Sequence, residues 1–256
     1  MRAGLAVLLA AFSSLVFAQT QNAPSTYKPH EFQPGKDIVW VPTAQAVVDK
    51  MLDMARVTPG DYVMDLGSGD GRMVITAAKR GAYALGIEYE PELVELSRRN
   101  AEKEGVAGKA TFIKADLFET DFSAASVIAM FLPTELILKL RPKILALKPG
   151  TRVVSNTFTM GDWQADEKVI LTPATGCDTA WCTALLWIVP SSVAGSYKLP
   201  QGDLTLKQNF QMISGTLNTE GQIFVVEGKV QGEEISFTAG GREYRGRMNG
   251  KTLELR

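Results

Sequence analysis

The sequence predicts an α/β protein: a doubly wound, mostly parallel sheet closed by an antiparallel hairpin, then a small antiparallel all-β domain. Three observations predict it. From about residue 44 to 157, helix-period and strand-period apolar patterns alternate, which places parallel strands inside and helices on both faces. From 168 to 189 two strand patterns follow each other with only a Gly- and Cys-containing loop between them. From 195 onward short alternating strands are separated by Gly- and Asn-containing turns, with no helical period.

Bulk composition fits such a chain. Its 256 residues are 45% hydrophobic and 21% charged, enough apolar material for a full domain plus a smaller module. Lys and Arg total 27 against 28 Asp and Glu, so no bulk charge favours nucleic acid or an anionic membrane surface. Met1-Arg2 followed by an apolar run to Ala18, with Val16-Phe17-Ala18 before Gln19, reads as a signal peptide over residues 1–18. The run is shorter than the roughly 20 residues of a spanning helix. Cleavage and export to the periplasm or outside the cell are therefore expected, an uncleaved membrane anchor being the alternative. No later segment is long and apolar enough to span a bilayer. Residues 19–39, with Pro24, Pro29 and Pro34, suit an extended lead-in.

The elements follow in order. Ala44 to Val57 carries Val47, Val48, Met51, Leu52 and Ala55 on one helical stripe, ended by Pro59-Gly60. Tyr62-Val63-Met64 opens a buried strand. Gly71 to Lys79 is predicted helical, Tyr83 to Ile87 a strand, and Pro91 to Glu104 a helix with proline in its first turn. Ala110 to Ile113 and Ser126 to Phe131 are short apolar strands. Thr134 to Leu147 is predicted helical but divided at Pro142. Thr151 to Thr157 is a strand, and Lys168 to Leu171 with Thr183 to Val189 form the hairpin. The first domain is thus 40–190, Pro190 to Ala194 a linker, and 195–256 a β domain. Its expected strands are Asp203 to Leu206, Phe210 to Leu217, Ile223 to Val230, Glu234 to Thr238 and Arg242 to Met248.

Cys177 and Cys182 lie in the hairpin loop. They read as two small hydrophobes in a reducing compartment or as a disulfide in an exported protein. With the lone His30 they do not make a zinc site, and no metal is expected.

Chemistry concentrates in Asp65-Leu66-Gly67-Ser68-Gly69-Asp70-Gly71, where a strand hands over to a helix. Glycines there admit close backbone approach to a ligand, and the helix start offers free N–H groups. Arg72 stands where a dinucleotide loop has its third Gly or Ala, which tilts away from NAD. Glu88 closes the next strand about 20 residues on, where a carboxylate accepts from ribose hydroxyls. Asp116-Leu117 follows the third strand, an acid and an apolar neighbour placed for an adenine edge and face.

Together these residues resemble the class I, Rossmann-like S-adenosylmethionine-dependent methyltransferases from about Trp40 to Pro190. The resemblance implies S-adenosylmethionine as cofactor, lined by Gly67, Ser68, Gly69, Asp70 and Gly71. It puts Asp65 near the cofactor's amino group, Glu88 on its ribose and Asp116-Leu117 at its adenine. A narrower resemblance rests on Val41-Pro42-Thr43, the loop through Arg72, Gly86-Ile87-Glu88, Phe131-Leu132-Pro133 and Asp162-Trp163-Gln164, in that order. This set looks like bacterial relatives of the mitochondrial lysine methyltransferases that act on the ATP synthase c-subunit and the adenine nucleotide translocase. It implies protein-lysine N-methylation with a protein partner. A small-molecule methyltransferase and an exported, non-catalytic binding protein are the alternatives.

Substrate-side candidates are Thr43, Phe131, Pro133, Asn156 and Trp163, with Glu135 near them. Trp163 has two readings, a π wall for an amine channel or plain packing. Thr43 has two as well, a pocket wall or a helix N-cap. No catalytic acid or base is identified.

Overall fold

The computed structural model describes residues 27–31 and 40–256. The leader, 1–18, and most of the 19–39 lead-in lie outside the described residues. Two seven-stranded sheets organise the described chain.

The first sheet is ordered β3-β2-β1-β4-β5-β7-β6. Its strands are β1 (Tyr62–Leu66), β2 (Tyr83–Glu88), β3 (Ala110–Lys114), β4 (Val127–Met130), β5 (Arg152–Asn156), β6 (Glu167–Ile170) and β7 (Thr183–Ile188). Strands β1 to β5 pair in parallel. β7 runs antiparallel to both β5 and β6 and lies between them. Central strands buried on both faces need continuous apolar runs, which is why β4 reads Val-Ile-Ala-Met without a polar interruption.

Helices α1 (Gln45–Met54), α2 (Arg72–Lys79), α3 (Pro91–Lys103) and α4 (Thr134–Leu145) cover the sheet. On one face Val47, Val48, Met51 and Leu52 of α1 and Val74 and Ala77 of α2 pack into a single cluster with Val63, Ala129 and Val154. On the other, Ile137, Leu140 and Ile144 of α4 join Leu66, Ile128, Met130 and Trp187. α4 is not divided at Pro142, contrary to the sequence expectation: it runs through to Leu145. A proline removes one ladder bond, but Leu140 before it and Ile144 after it are both buried, so packing holds the helix across the gap.

Asp61 knits the start of β1 to its neighbours. Its carboxylate accepts from Arg152, from the Ser126 hydroxyl at 2.8 Å and from the Thr58 N–H at 2.8 Å. Arg152 also donates to the Ala55 carbonyl at the end of α1, 2.7 Å away. Burial alone would raise the Asp61 pKa; the bonds from Arg152, Thr58 and Ser126 outweigh it and hold the group at about 2, below its ordinary 3.8. A depressed pKa contributes stability above the unfolded value and loses it as pH falls toward the folded one. Asp61→Asn should therefore be less stable than the wild type in urea at pH 7, the gap closing between pH 4 and pH 2. An equal gap at pH 7 and pH 2.5 would refute the assignment.

The second sheet is a meander in chain order. It comprises β8 (Gly195–Leu199), β9 (Gly202–Asn209), β10 (Met212–Thr219), β11 (Gln222–Gln231), β12 (Glu234–Ala239), β13 (Arg242–Asn249) and β14 (Thr252–Leu255). Alternate residues such as Leu204, Leu206, Ile213, Leu217, Val226 and Val230 form its own core. β8 and β14 were not foreseen as strands. Phe210, expected to open a strand, sits instead in the β9–β10 turn with φ 52°. That turn reaches back to the first sheet: Phe210 stacks on Trp163 at 5.7 Å, and Gln211 Nε2 donates to the Gln164 carbonyl at 2.7 Å.

Candidate functional site

Strand order reverses beside β1, and a crevice opens there at the carboxyl ends of β1 and β4, the position at which open α/β sheets bind ligands. A cavity of about 820 Å³ occupies it. Asp65, Gly67, Ser68, Gly69, Asp70, Glu88, Asp116 and Leu117 all line this cavity. So do Thr43, Phe131, Pro133 and Glu135 from the substrate-side set.

The loop after β1 is held from behind. Glu88 Oε2 accepts the Gly69 N–H at 2.9 Å, while its Oε1 accepts those of Tyr89 and Glu90 at 2.8 and 3.0 Å. The Ser97 hydroxyl of α3 donates to the Gly69 carbonyl at 2.8 Å, and Asn100 Nδ2 donates to the Asp70 carbonyl at 2.9 Å. Arg72 donates from Nε and Nη2 to the Asp70 carboxylate and from Nη1 to the Thr43 carbonyl at 2.6 Å. Sequence reasoning missed Ser97, Asn100 and this use of Arg72. The available signal was Ser97 on the apolar stripe of α3, four residues from both Leu93 and Ala101, with Asn100 three residues on.

The glycines act differently from one another. Gly67, at φ 87°, takes a conformation disfavoured for residues with a Cβ. Gly69, at φ 55°, has the space of its missing Cβ taken by the Trp40 indole: an added Cβ would lie 2.6 Å from Trp40 Nε1. Gly71 is a correction to the cofactor set. It does not line the cavity but caps α2 at φ 85° and packs against Phe112 and Ser97, so its role is to seat the helix.

Electrostatically the cavity floor is a cluster of acids. Burial raises the Asp65 pKa well above the ordinary carboxylate range, and the neighbouring Glu88 and Asp70 raise it further. Glu88 is also raised by burial, against the lowering effect of its backbone hydrogen bonds. Ser68 Oγ is buried against Gly86, with no hydrogen-bond partner among the described residues. Buried acids without a counter-charge are costly and suit a polar, positively charged ligand. A sulfonium and an ammonium supply that charge, and Glu88 retains lone pairs for ribose hydroxyls. The residues present fit S-adenosylmethionine.

Two substrate-side candidates lie elsewhere. Trp163 is completely buried between Trp187, 6.4 Å away in edge contact, and Phe210, and does not line the cavity. It is a core residue, because the β9–β10 turn covers the face that the sequence left open. Asn156 is also completely buried and outside the cavity wall; its Nδ2 donates to the Thr43 hydroxyl at 3.3 Å. Thr43 does not cap α1, whose N-cap is Ala44 without a side-chain bond. His30 and Tyr27 border the cavity, a placement the sequence did not indicate.

The ANTKMT methyltransferase domain model matches residues 65–167. A protein-lysine N-methyltransferase of Saccharolobus islandicus (strain REY15A) is 43% identical over 147 residues, 56% of this chain and 87% of that protein. The Homo sapiens lysine N-methyltransferase of the ATP synthase c-subunit is 37% identical over 143 residues, and the chain spans only 59% of its length. Among solved structures, an RNA methyltransferase from Salinibacter ruber in complex with S-adenosyl-L-homocysteine is 43% identical, with a TM-score of 0.54. That match covers 60% of this chain and 96% of the other. Cavity, acid cluster and relatives agree: the chain is an S-adenosylmethionine-dependent methyltransferase and belongs to the family of the Saccharolobus protein-lysine N-methyltransferase.

Proposed function

We propose that the methyl acceptor is a lysine amine of a protein. The observation that carries this is the apolar acceptor side of the cavity, Phe131-Leu132-Pro133 at the tip of β4, in a chain 43% identical over 147 residues to the Saccharolobus protein-lysine N-methyltransferase. The bound cofactor supplies an activated methyl on sulfur. The chain's part is to hold acceptor and donor in line and to strip water from the amine, which favours its neutral, nucleophilic form. Phe131, Leu132 and Pro133 provide that dry surface. Glu88 and the Gly69 N–H hold the donor side rigid.

Incubating the purified chain with methyl-labelled cofactor and a bacterial lysate should label protein, at lysine on peptide mapping. Label that survives protease but not ribonuclease would replace this reading with an RNA acceptor, as in the name of the Salinibacter structure. Label only in small molecules would replace it with a metabolite acceptor.

Export is part of the same proposal. It rests on the apolar run over 1–18 and on the Cys177–Cys182 disulfide, a bond that persists in oxidising compartments. Expression of the full chain should yield protein beginning at Gln19 in the osmotic-shock fraction; an intact Met1 in the cytosol would defeat export.

A further inference from the structure

An aromatic cluster stands behind the acceptor wall. Directly after β5, Thr157 adopts φ 63°, a strained conformation for a β-branched residue, and its hydroxyl donates to Asn156 Oδ1 at 2.9 Å. That turn delivers Phe158 onto Phe131, ring centroids 5.7 Å apart and 27° from parallel. Trp181 meets Phe131 on another side in edge contact, at 6.1 Å and 64°. Phe131 in turn lines the cavity.

Trp181 belongs to a short loop closed by the disulfide between Cys177 and Cys182. Both cysteines are buried in the core beneath α1, whereas residues 178–180 are exposed. The Trp181 N–H donates to Thr179 Oγ1 at 3.2 Å, and the Leu171 N–H to the Cys182 carbonyl at 2.8 Å. Gly176, at φ 90°, sits so close to α1 that an added Cβ would lie 3.0 Å from that of Ala46. The loop is therefore clamped covalently and by packing, and Trp181 is its inward-reaching aromatic.

We propose that Trp181, held by the Cys177–Cys182 disulfide, is a positioning residue for the methyl acceptor and acts through the Phe131 ring. For the acceptor's chemistry this rests on the amine reading above; for the ring's placement it does not. A strained turn supports Phe131 from one direction and a cross-linked loop from another, and the residue lines the cavity that would receive the acceptor. An amine then meets a ring held in one orientation, which lowers the ordering cost of binding. Reduction by a dithiol converts the bridge to two thiols, the reductant leaving as its own disulfide, and frees the loop that carries Trp181.

The test uses the full chain with 4-fluorophenylalanine incorporated, the Phe131 ¹⁹F resonance being assigned by its disappearance in Phe131→Leu. That resonance should be single and narrow in the wild type, shift or broaden in Trp181→Ala and on dithiol reduction, and recover in Trp181→Phe. S-adenosylhomocysteine affinity should stay within about twofold throughout. With a lysine-rich peptide and labelled cofactor, Trp181→Ala should raise KM about fivefold while kcat holds, the loss of one ring contact. An unmoved Phe131 resonance in Trp181→Ala overturns the proposal, as does cofactor affinity falling in step with KM. Failure of the wild type to methylate the peptide counts against the lysine reading, and the ¹⁹F comparison still decides the role of Trp181.

Discussion

Replacing Glu88 by alanine is expected to weaken S-adenosylmethionine binding by about 30- to 1000-fold. The carboxylate does two jobs. It accepts the Gly69 N–H at 2.9 Å, and so fixes the loop, and it turns the same group toward the cavity where a ribose would lie. Hydrogen bonds to a charged acceptor are each worth about 1.5–3 kcal/mol, so losing one at the lower value and two at the upper value brackets the stated range. Glu88→Gln should lose less, since one acceptor oxygen remains. The variant's fold should survive, because Ser97 and Asn100 still brace the loop from α3. Isothermal titration with the cofactor checks this; a loss under fivefold for the alanine variant refutes the ribose assignment. Burial raises the Glu88 pKa, and burial with two acidic neighbours raises that of Asp65. A cationic ligand prefers these groups ionised, so affinity should fall on acidification at a pH above the ordinary carboxylate range.

Trp163→Ala is expected to cost about 3–5 kcal/mol of stability, the usual range for removing a large buried aromatic. Its ring is completely buried against Trp187 and Phe210, and its carbonyl accepts the Trp187 indole N–H at 2.8 Å. Cofactor affinity should be unchanged, since Trp163 does not reach the cavity. Urea unfolding read beside cofactor titration separates the two properties. Full stability with altered acceptor kinetics would restore Trp163 to the acceptor channel. Phe210→Ala should destabilise in the same sense, because it removes the other half of the stack.

How far the sequence was legible varies with the range of the interactions involved. The alternation of strand and helix is written in local periodicity, and the antiparallel hairpin in the absence of a helical apolar period between residues 171 and 183, where the structure has only the single 3-10 turn Pro173–Thr175. The loop from Asp65 and the acid at the end of β2 were legible because spacing along the chain sets their approach. Trp163 was not, because what covers it comes from Phe210 in the other sheet. Gly71 was misplaced for a related reason: in sequence it continues the glycine pattern, but in space its Cα faces Phe112 and Ser97. Pro142 shows local propensity yielding to burial on both sides of it. The disulfide was one of two open readings, and only proximity in three dimensions chose between them. Trp181 gave no signal at all, since its partner Phe131 lies 50 residues away at the end of another strand.

The insertion of β7 between β5 and β6 has a consequence for assembly. β6 is made earlier in synthesis, yet its sole ladder partner among the described residues is β7, so it has no seat until the later strand arrives. A nascent chain halted before Thr183 would leave the margin of β5 bare, with unpaired backbone groups on Val153 and Ser155, the kind of surface on which chains adhere to one another. The short covalent ring at Cys177–Cys182 lies at the bend joining β6 to β7, where its closure would favour the two arriving as one piece.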